Sequence, residues 1–316
     1  MKLEICNNDR EVLKKLASEY AEAAALPVQH ETRELWKACN DLHPVRPMVY
    51  LYQVCWHEMN VNDELTCVCK DEFARRIENG LRMKLYQWRH MRADMVLDNV
   101  LYCPMAVSRT PILEVKQEIL GQESNPGAYS HHYVPQITCE DDIEKIKIPV
   151  VAHDADLSAA WLDFYKDAFS DIIKVEQRGP AGFRMSIWDR LVEWTGVQEI
   201  MMDLVLRPDY VHQLVKRTFD ACNSVVDQYL ELGLVASYNN DLCTSDGALG
   251  YTDQLPQGAD EPLKNLWAGA ADQIFGDVSP EMHEEFALKY NHNWHKRFGL
   301  NYYGCCEPLH NKIEVI

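Results

Sequence analysis

The chain has 316 residues, of which 47% are hydrophobic and 25% charged, so it can bury a large core and is not a disordered protein. Its net charge of −18, from 49 acidic and 31 basic residues, disfavours nucleic acid and anionic lipid as partners. The sequence begins without a signal-peptide core and contains no apolar run of membrane-spanning length, so we expect a cytoplasmic protein without membrane contact.

Hydrophobic periodicity predicts a chain in which helices and strands alternate. An amphipathic helix ends before Pro27 and belongs to an N-terminal helical extension, residues 1–45. Later helices are predicted at 73–88, 156–169, 208–232 and 279–298, and short apolar strands at 48–52, 93–97, 180–187, 234–238 and 300–303. Between 108 and 148 the periodicity fades, which predicts a long irregular loop of the kind that forms lids.

This alternation predicts an α/β fold, a (β/α)8 barrel of the TIM type over residues 46–316, in a single domain with the extension. The strands recognised are fewer than eight. Either strands are missed between 100 and 180, or the barrel is truncated at the C-terminus. An incomplete parallel sheet would expose an edge and favour association with a second chain, as in a homodimer.

The segment that follows the last predicted strand combines two thiols with a carboxylate. Cys305, Cys306 and Glu307 are ligand types for zinc, and the odd total of 11 cysteines argues against a complete disulfide framework. Adjacent cysteines point in opposite directions along a strand, so both can bind one ion only if the backbone turns, as Gly304 and Pro308 would permit. In the alternative interpretation, one cysteine packs in the barrel wall and the other is incidental.

Polar residues follow other predicted strands, at the end of the barrel where such enzymes carry their active sites. An imidazole and two carboxylates are candidates for general acid and base chemistry: His57, Glu58 and Asp98. A second polar group is a candidate for substrate binding: Asn239, Asn240 and Asp241. The alternative is that these residues are helix caps, turn formers or a hydrogen-bonded pair at a loop start.

Two segments resemble the uroporphyrinogen-decarboxylase superfamily. RLVEWTGVQE at 190–199, with RPDYV at 207–211, is similar to the family's G-x-E and P-E-x-V pattern, which opens a long helix. IFGDVSPEMHEEF at 274–286 is similar to the family segment i-S-P-x-x-F-x-E-F. The resemblance extends from about residue 30 to the C-terminus and implies a (β/α)8 barrel.

The superfamily contains porphyrinogen decarboxylases and methyltransferases that work with corrinoid proteins. Decarboxylases carry an R-Q-A-G-R loop after the first strand, whereas no arginine lies between Arg46 and Arg75 here. In the methyltransferases, H-x-C-G-N supplies a histidine and a cysteine to zinc. Cys305 takes the place of that cysteine, Tyr303 that of the histidine, and Glu307 that of the asparagine, which makes Tyr303 a further candidate catalytic residue.

The resemblance therefore implies a zinc-dependent methyltransferase. Its reaction would move a methyl group between a small substrate or thiol and the corrinoid of a partner protein, and zinc would activate the heteroatom. Two alternatives stay open: a cofactor-free decarboxylase of another acid, and a non-catalytic relative that binds a corrinoid protein. Stoichiometric zinc would separate the first hypothesis from the second.

Overall fold

A computed structural model of the chain describes residues 3–120, 130–245, 247–256 and 258–316. The chain forms two compact units, each assembled from three segments. The first unit contains Met1–Val107, His153–Ala181 and Tyr238–Pro256, and the second contains Ser108–Ala152, Gly182–Ser237 and Gln257–Ile316.

Helices supply most of the regular structure. In chain order, their bounds are α1 (Asn7–Ala24), α2 (Pro27–Asn40), α3 (Trp56–Met59), α4 (Glu72–His90), α5 (Ala155–Phe169), α6 (Ile187–Thr195), α7 (Val197–Leu206), α8 (Pro208–Glu231), α9 (Pro280–His283) and α10 (Lys289–His295). A π-helical turn, Glu284–Leu288, joins α9 to α10. No helix in the described part of the chain is long and apolar enough to span a bilayer.

The strands are short. Their bounds are β1 (Val100–Pro104), β2 (Val107–Arg109), β3 (Gln117–Leu120), β4 (Ser130–Tyr133), β5 (Val151–His153), β6 (Lys174–Arg178), β7 (Phe183–Met185), β8 (Cys243–Ser245), β9 (Ala248–Leu249), β10 (Trp267–Ala270) and β11 (Leu300–Tyr303). Two-stranded sheets pair β2 with β5, β3 with β4, and β8 with β9.

The first unit is built around a parallel pair, β1 and β6, in which Tyr102 is opposite Glu176. Helix α5 packs against both strands of this pair, and α1 packs against α4 and α5. On α1 the residues Leu13, Ala17 and Tyr20 recur at helical spacing and are buried. The N-terminus of α4 is fixed by Asp71, whose side chain accepts a hydrogen bond from the Ala74 amide at 2.9 Å.

The second unit is built around a three-stranded parallel sheet of order β11-β10-β7. The Tyr302 ring of β11 lies against Gly269 of β10, where an added Cβ would be only 2.0 Å from the ring. The long helix α8 begins with Pro208 at its first turn, a position that needs no amide hydrogen. It buries Val211 and Leu214 completely in the core of this unit.

The helices follow the sequence prediction closely, whereas several predicted strands do not. The predictions at 73–88, 156–169 and 208–232 are confirmed by α4, α5 and α8, and the strand at 300–303 is confirmed by β11. The predicted helix at 279–298 is interrupted by the π-helical turn. Part of the predicted loop, 121–129, lies outside the described residues.

Residues 48–52, 93–97 and 234–238 were predicted as strands and have no regular strand structure. Val49 is 53% exposed, and its amide donates to the Asp94 carboxylate at 2.8 Å. The Val49 carbonyl also accepts a hydrogen bond from the Asp94 amide at 2.8 Å, so one backbone bond and one side-chain bond join the two segments without a regular strand pair. The described strands form small sheets and no closed ring, so the single eight-stranded barrel over 46–316 stays a prediction.

Leu214→Ala should lower the free energy of unfolding by about 2–5 kcal/mol, because a fully buried leucine leaves a cavity in the core of the second unit. Urea unfolding followed by circular dichroism measures this loss. The control is Leu206→Ala, which changes a leucine that is 72% exposed and should alter the free energy by about 0.5 kcal/mol or less. Equal losses in the two variants would contradict the assigned core.

Candidate functional site

Three parallel strands of the second unit end at the same level, and the candidate site residues follow two of them, β10 and β11. Ala270, the last residue of β10, is paired with Tyr303 on one side and with Met185 on the other. Asp272 and residues 304–309, here called the cysteine segment, therefore follow the carboxyl ends of the strands. This is the edge at which parallel sheets carry their ligand sites.

The cysteine segment leaves β11 through a turn that requires glycine. Gly304 has φ of 120°, and an added Cβ would lie 2.7 Å from Leu309. After this turn the Cys305 and Cys306 sulfur atoms are 3.4 Å apart, and both residues are exposed. The backbone turn that would bring both thiols to one ion is thus present.

Glu307 holds this segment against the sheet edge. Its carboxylate accepts hydrogen bonds from the Cys305 amide at 3.0 Å and from the Asp272 amide at 3.4 Å. The side chain is buried, at 8% exposure. These bonds make Glu307 a link between the segments that follow β10 and β11.

Asp272 is a buried carboxyl group with one oxygen satisfied. Its Oδ2 atom accepts hydrogen bonds from the Asn291 amide and from the Tyr303 hydroxyl, the latter at 3.0 Å. Its Oδ1 atom is buried and has no hydrogen-bond partner among the described residues. Burial raises the pKa of Asp272 to about 7, because the charged form loses its hydration.

His283 extends this network away from the sheet. Its Nε2 atom lies 2.5 Å from the Tyr303 hydroxyl oxygen. Burial, reinforced by the charge of Lys312, lowers the pKa of His283 to about 4, so the imidazole is neutral at neutral pH. Since Tyr303 donates its only hydrogen to Asp272, His283 donates from Nε2, and a chain of hydrogen bonds runs from His283 through Tyr303 to Asp272.

Lys312 is buried against the turn that follows β10. It is 1% exposed, and its ammonium donates to the carbonyl oxygens of Phe275 and Gly276, the latter at 3.3 Å. Burial lowers its pKa, while the charge of Glu307 opposes that shift. The lysine therefore anchors the C-terminal segment to the turn after β10.

The two thiols fit zinc as two of its ligands. Two Zn–S bonds of about 2.3 Å at a tetrahedral angle place the sulfur atoms about 3.8 Å apart, only a few tenths of an ångström more than observed. Across the described residues, no three His, Cys, Asp or Glu side chains converge closely enough to hold an ion. The carboxylate of Glu307, a predicted metal ligand, accepts hydrogen bonds from two backbone amides instead.

His57 and Glu58, predicted as an acid and base pair, lie on α3 of the first unit. Both residues are exposed, and the His57 Nε2 atom is 3.6 Å from the Glu58 carboxylate. Neither side chain is hydrogen-bonded to another residue in the described ranges. The structure thus brings these two residues together without connecting them to a larger network.

Asp98 lies in a polar cluster of the first unit, where its carboxylate accepts from Arg33 at 2.7 Å and from the Tyr251 hydroxyl at 2.8 Å. Asp241 belongs to the same cluster and forms a two-pronged ion pair with Arg178, in which one contact measures 2.7 Å. Burial raises the pKa of Asp98, and the charge of Asp241 adds to the effect.

The neighbours of Asp241 differ from it. Asn239 is buried and donates its amide to the Ala181 carbonyl at 2.7 Å, so this bond helps to fix the segment. Asn240 is half-buried and makes no side-chain hydrogen bond to the described residues. Of the three predicted substrate-binding residues, Asn240 has the side chain least committed to its surroundings.

Sequence reasoning missed the buried half of the second unit's site. Asp272, His283, Asn291 and Lys312 were not singled out. One signal for Asp272 was available, because WAGAA at 267–271 is a small apolar run that leads directly into an acidic residue. The other three lie on helices or in the C-terminal segment, where polar residues are common.

Asp272→Asn should change how stability depends on pH. The carboxyl keeps its proton to about pH 7 when folded but only to about 3.8 when unfolded, so the folded state binds more protons in that window. Stability from this group is therefore lost as pH rises from about 4 to about 7. Relative to the variant, the wild type should lose up to about 4 kcal/mol over that range.

Urea unfolding at several pH values measures this difference. His283 and His295 also titrate between folded and unfolded states, with pKa values lowered to about 4, but both are retained in Asp272→Asn and largely cancel in the comparison. A difference that stays constant with pH would contradict the raised pKa of Asp272.

Comparisons of the chain with protein-family models, with curated proteins and with solved structures gave no significant match. The chemistry of the site therefore rests on its own residues. Two exposed cysteines, whose sulfur atoms contact each other, and a buried, hydrogen-bonded carboxyl group follow neighbouring strands at the same edge of a parallel sheet.

Proposed function

We propose that the chain is a methyltransferase that moves a methyl group between a small substrate or thiol and a corrinoid protein, with a zinc ion held by Cys305 and Cys306. The observation that carries this proposal is the 3.4 Å separation of the two sulfur atoms, which suits chelation of one ion. Because both cysteines are exposed, a substrate can reach an ion bound there.

The residues around the thiols prepare them for binding. Gly304 turns the chain so that the two sulfur atoms lie close together. Glu307 fixes that turn by accepting a hydrogen bond from the Cys305 amide. A ligand pair that is already oriented loses less conformational entropy when an ion binds. Zinc, when bound, would keep a thiol substrate deprotonated at neutral pH.

The buried carboxyl network supplies a place for the proton. A thiol must lose its proton before its sulfur can accept a methyl group. Asp272 has an oxygen atom without a partner among the described residues, and Glu307 connects its backbone to the cysteine segment. Tyr303 and Asn291 hold the other oxygen, so Asp272 can change protonation without losing its position.

The corrinoid partner is the part of the proposal that rests on the resemblance alone. Segments 190–211 and 274–286 are similar to the superfamily whose methyltransferases use such proteins. In the structure these segments form α6, α7 and the start of α8, and the region around α9. They lie in the same unit as Cys305 and Cys306.

A cofactor-free decarboxylase is the second candidate, and a specific observation favours it. Loss of carbon dioxide leaves a carbanion that must take up a proton, and a buried carboxyl held by Tyr303 is a suitable proton donor. Asp272→Asn would then abolish activity, whereas Cys305→Ser would have little effect. The methyltransferase proposal predicts that Cys305→Ser is inactive.

Purified wild-type protein should contain about one zinc per chain by elemental analysis, since two thiolates chelate the ion. Cys305→Ser and Cys306→Ser should each lower the zinc content at least about tenfold, because one remaining sulfur ligand no longer chelates. The matched control is Cys139→Ser, which changes another exposed cysteine of the second unit and should leave the zinc content unchanged.

Absence of zinc from the wild-type protein, even after incubation with zinc and dialysis, would contradict the methyltransferase proposal and favour the decarboxylase. Equal loss of zinc in Cys139→Ser would place the ion elsewhere. Circular dichroism of each variant establishes that the fold is retained.

A further inference from the structure

The polar cluster of the first unit contains three cations and two of them are neutralised. Arg33 pairs with Asp98 at 2.7 Å, and Arg178 pairs with Asp241 at 2.7 Å. The third cation, Lys84, has no carboxylate within 4.0 Å among the described residues. The cluster formed by these five residues therefore has one positive charge in excess.

Lys84 belongs to this cluster by position as well as by charge. It projects from α4 towards Tyr20 on α1, and its ammonium lies 5.5 Å from the centre of the Tyr20 ring. The Tyr20 hydroxyl in turn donates to the Asp98 carbonyl at 3.0 Å. The charges of Asp98 and Asp241 both act on the lysine, although neither forms an ion pair with it.

Lys84 is accessible to solvent and yet partly desolvated. The residue is exposed, but desolvation by the surrounding protein lowers the pKa of its ammonium, against the opposing charges of Asp98 and Asp241 and together with the charge of Arg178. A side chain that is both accessible and surrounded by protein lines a concave surface. A surface lysine that extends into bulk water would not be desolvated in this way.

The nearby carboxylates cannot turn to Lys84 without breaking bonds they already make. Asp98 gives one oxygen to Arg33 and the other to Tyr251, and both oxygens of Asp241 contact Arg178. Arg178 is held further by stacking, because its guanidinium lies 3.9 Å from the centre of the Tyr102 ring. An anion that neutralises Lys84 would therefore have to come from outside the cluster.

We propose that Lys84 binds the carboxylate group of a small organic acid in the first unit. A single negative charge matches the single excess positive charge of the cluster. A monoanion leaves the charges of the cluster balanced, whereas a dianion such as phosphate would leave one negative charge in excess beside Asp98 and Asp241, which favours the carboxylate. This site is separate from the zinc site and does not rest on the proposed methyl transfer.

Isothermal titration with benzoate tests the site, with benzamide as the neutral ligand of the same shape. Wild-type protein should bind benzoate and not benzamide. Lys84→Met should weaken benzoate binding at least about tenfold, because a charge-assisted hydrogen bond is lost. Lys84→Arg keeps the charge and should retain the affinity within about threefold. The matched control is Lys15→Met, an exposed lysine on α1 that should bind benzoate as the wild type does.

Three results would overturn the proposal: no benzoate binding to the wild type, equal binding of benzamide, or unchanged benzoate affinity in Lys84→Met. Inorganic phosphate that displaces benzoate at lower concentration would overturn the choice of a carboxylate. The zinc content of Lys84→Met should equal that of the wild type, so failure here is distinguishable from failure of the zinc proposal. Circular dichroism establishes the fold of each variant.

Discussion

The parallel pairing of β10 with both β7 and β11 determines where the candidate site residues of the second unit lie. Its register makes Ala270 the partner of Tyr303 and of Met185, so the three strands end together. Residues that follow the strands then emerge side by side, although Asp272 and Cys305 are far apart in sequence. A shift of one residue in the pairing of β10 with β11 would turn Tyr303 away from Asp272 and would separate the Glu307 carboxylate from the Asp272 amide, from which it accepts a hydrogen bond.

At this edge of the sheet, some residues of the candidate site are buried and others are exposed to solvent. Asp272, His283 and Lys312 are buried, and each has a pKa displaced towards its neutral form because burial removes hydration. Cys305 and Cys306, by contrast, are exposed. Such an arrangement holds a reactive pair on a rigid polar support while leaving it open to an ion or a substrate.

The predictions that the structure confirms rest on patterns among residues close together in the sequence. The helix predicted at 208–232 matches α8 because Pro208 suits the first turn and the apolar residues repeat at helical spacing. The turn after β11 could be predicted because Gly304 tolerates positive φ. The run at 48–52 misled because an apolar sequence predicts burial only on average, and Leu51 and Tyr52 are exposed here.

Non-local contacts explain what the sequence could not show. Asp272 obtains its partners from residues 19 and 31 positions away, and the charges of Asp98 and Asp241 act on Lys84 only in the folded unit. No spacing rule connects such residues. The thiol pair was predictable because its two members are adjacent, whereas the use of Glu307 on backbone amides depends on the fold.

The central claim is that both adjacent thiols bind the same zinc ion, and X-ray absorption at the zinc edge tests it most directly. Protein loaded with one zinc per chain should show two sulfur scatterers at about 2.3 Å, with lighter atoms in the remaining positions. A spectrum with only nitrogen and oxygen neighbours, or with four sulfur neighbours, would contradict the account.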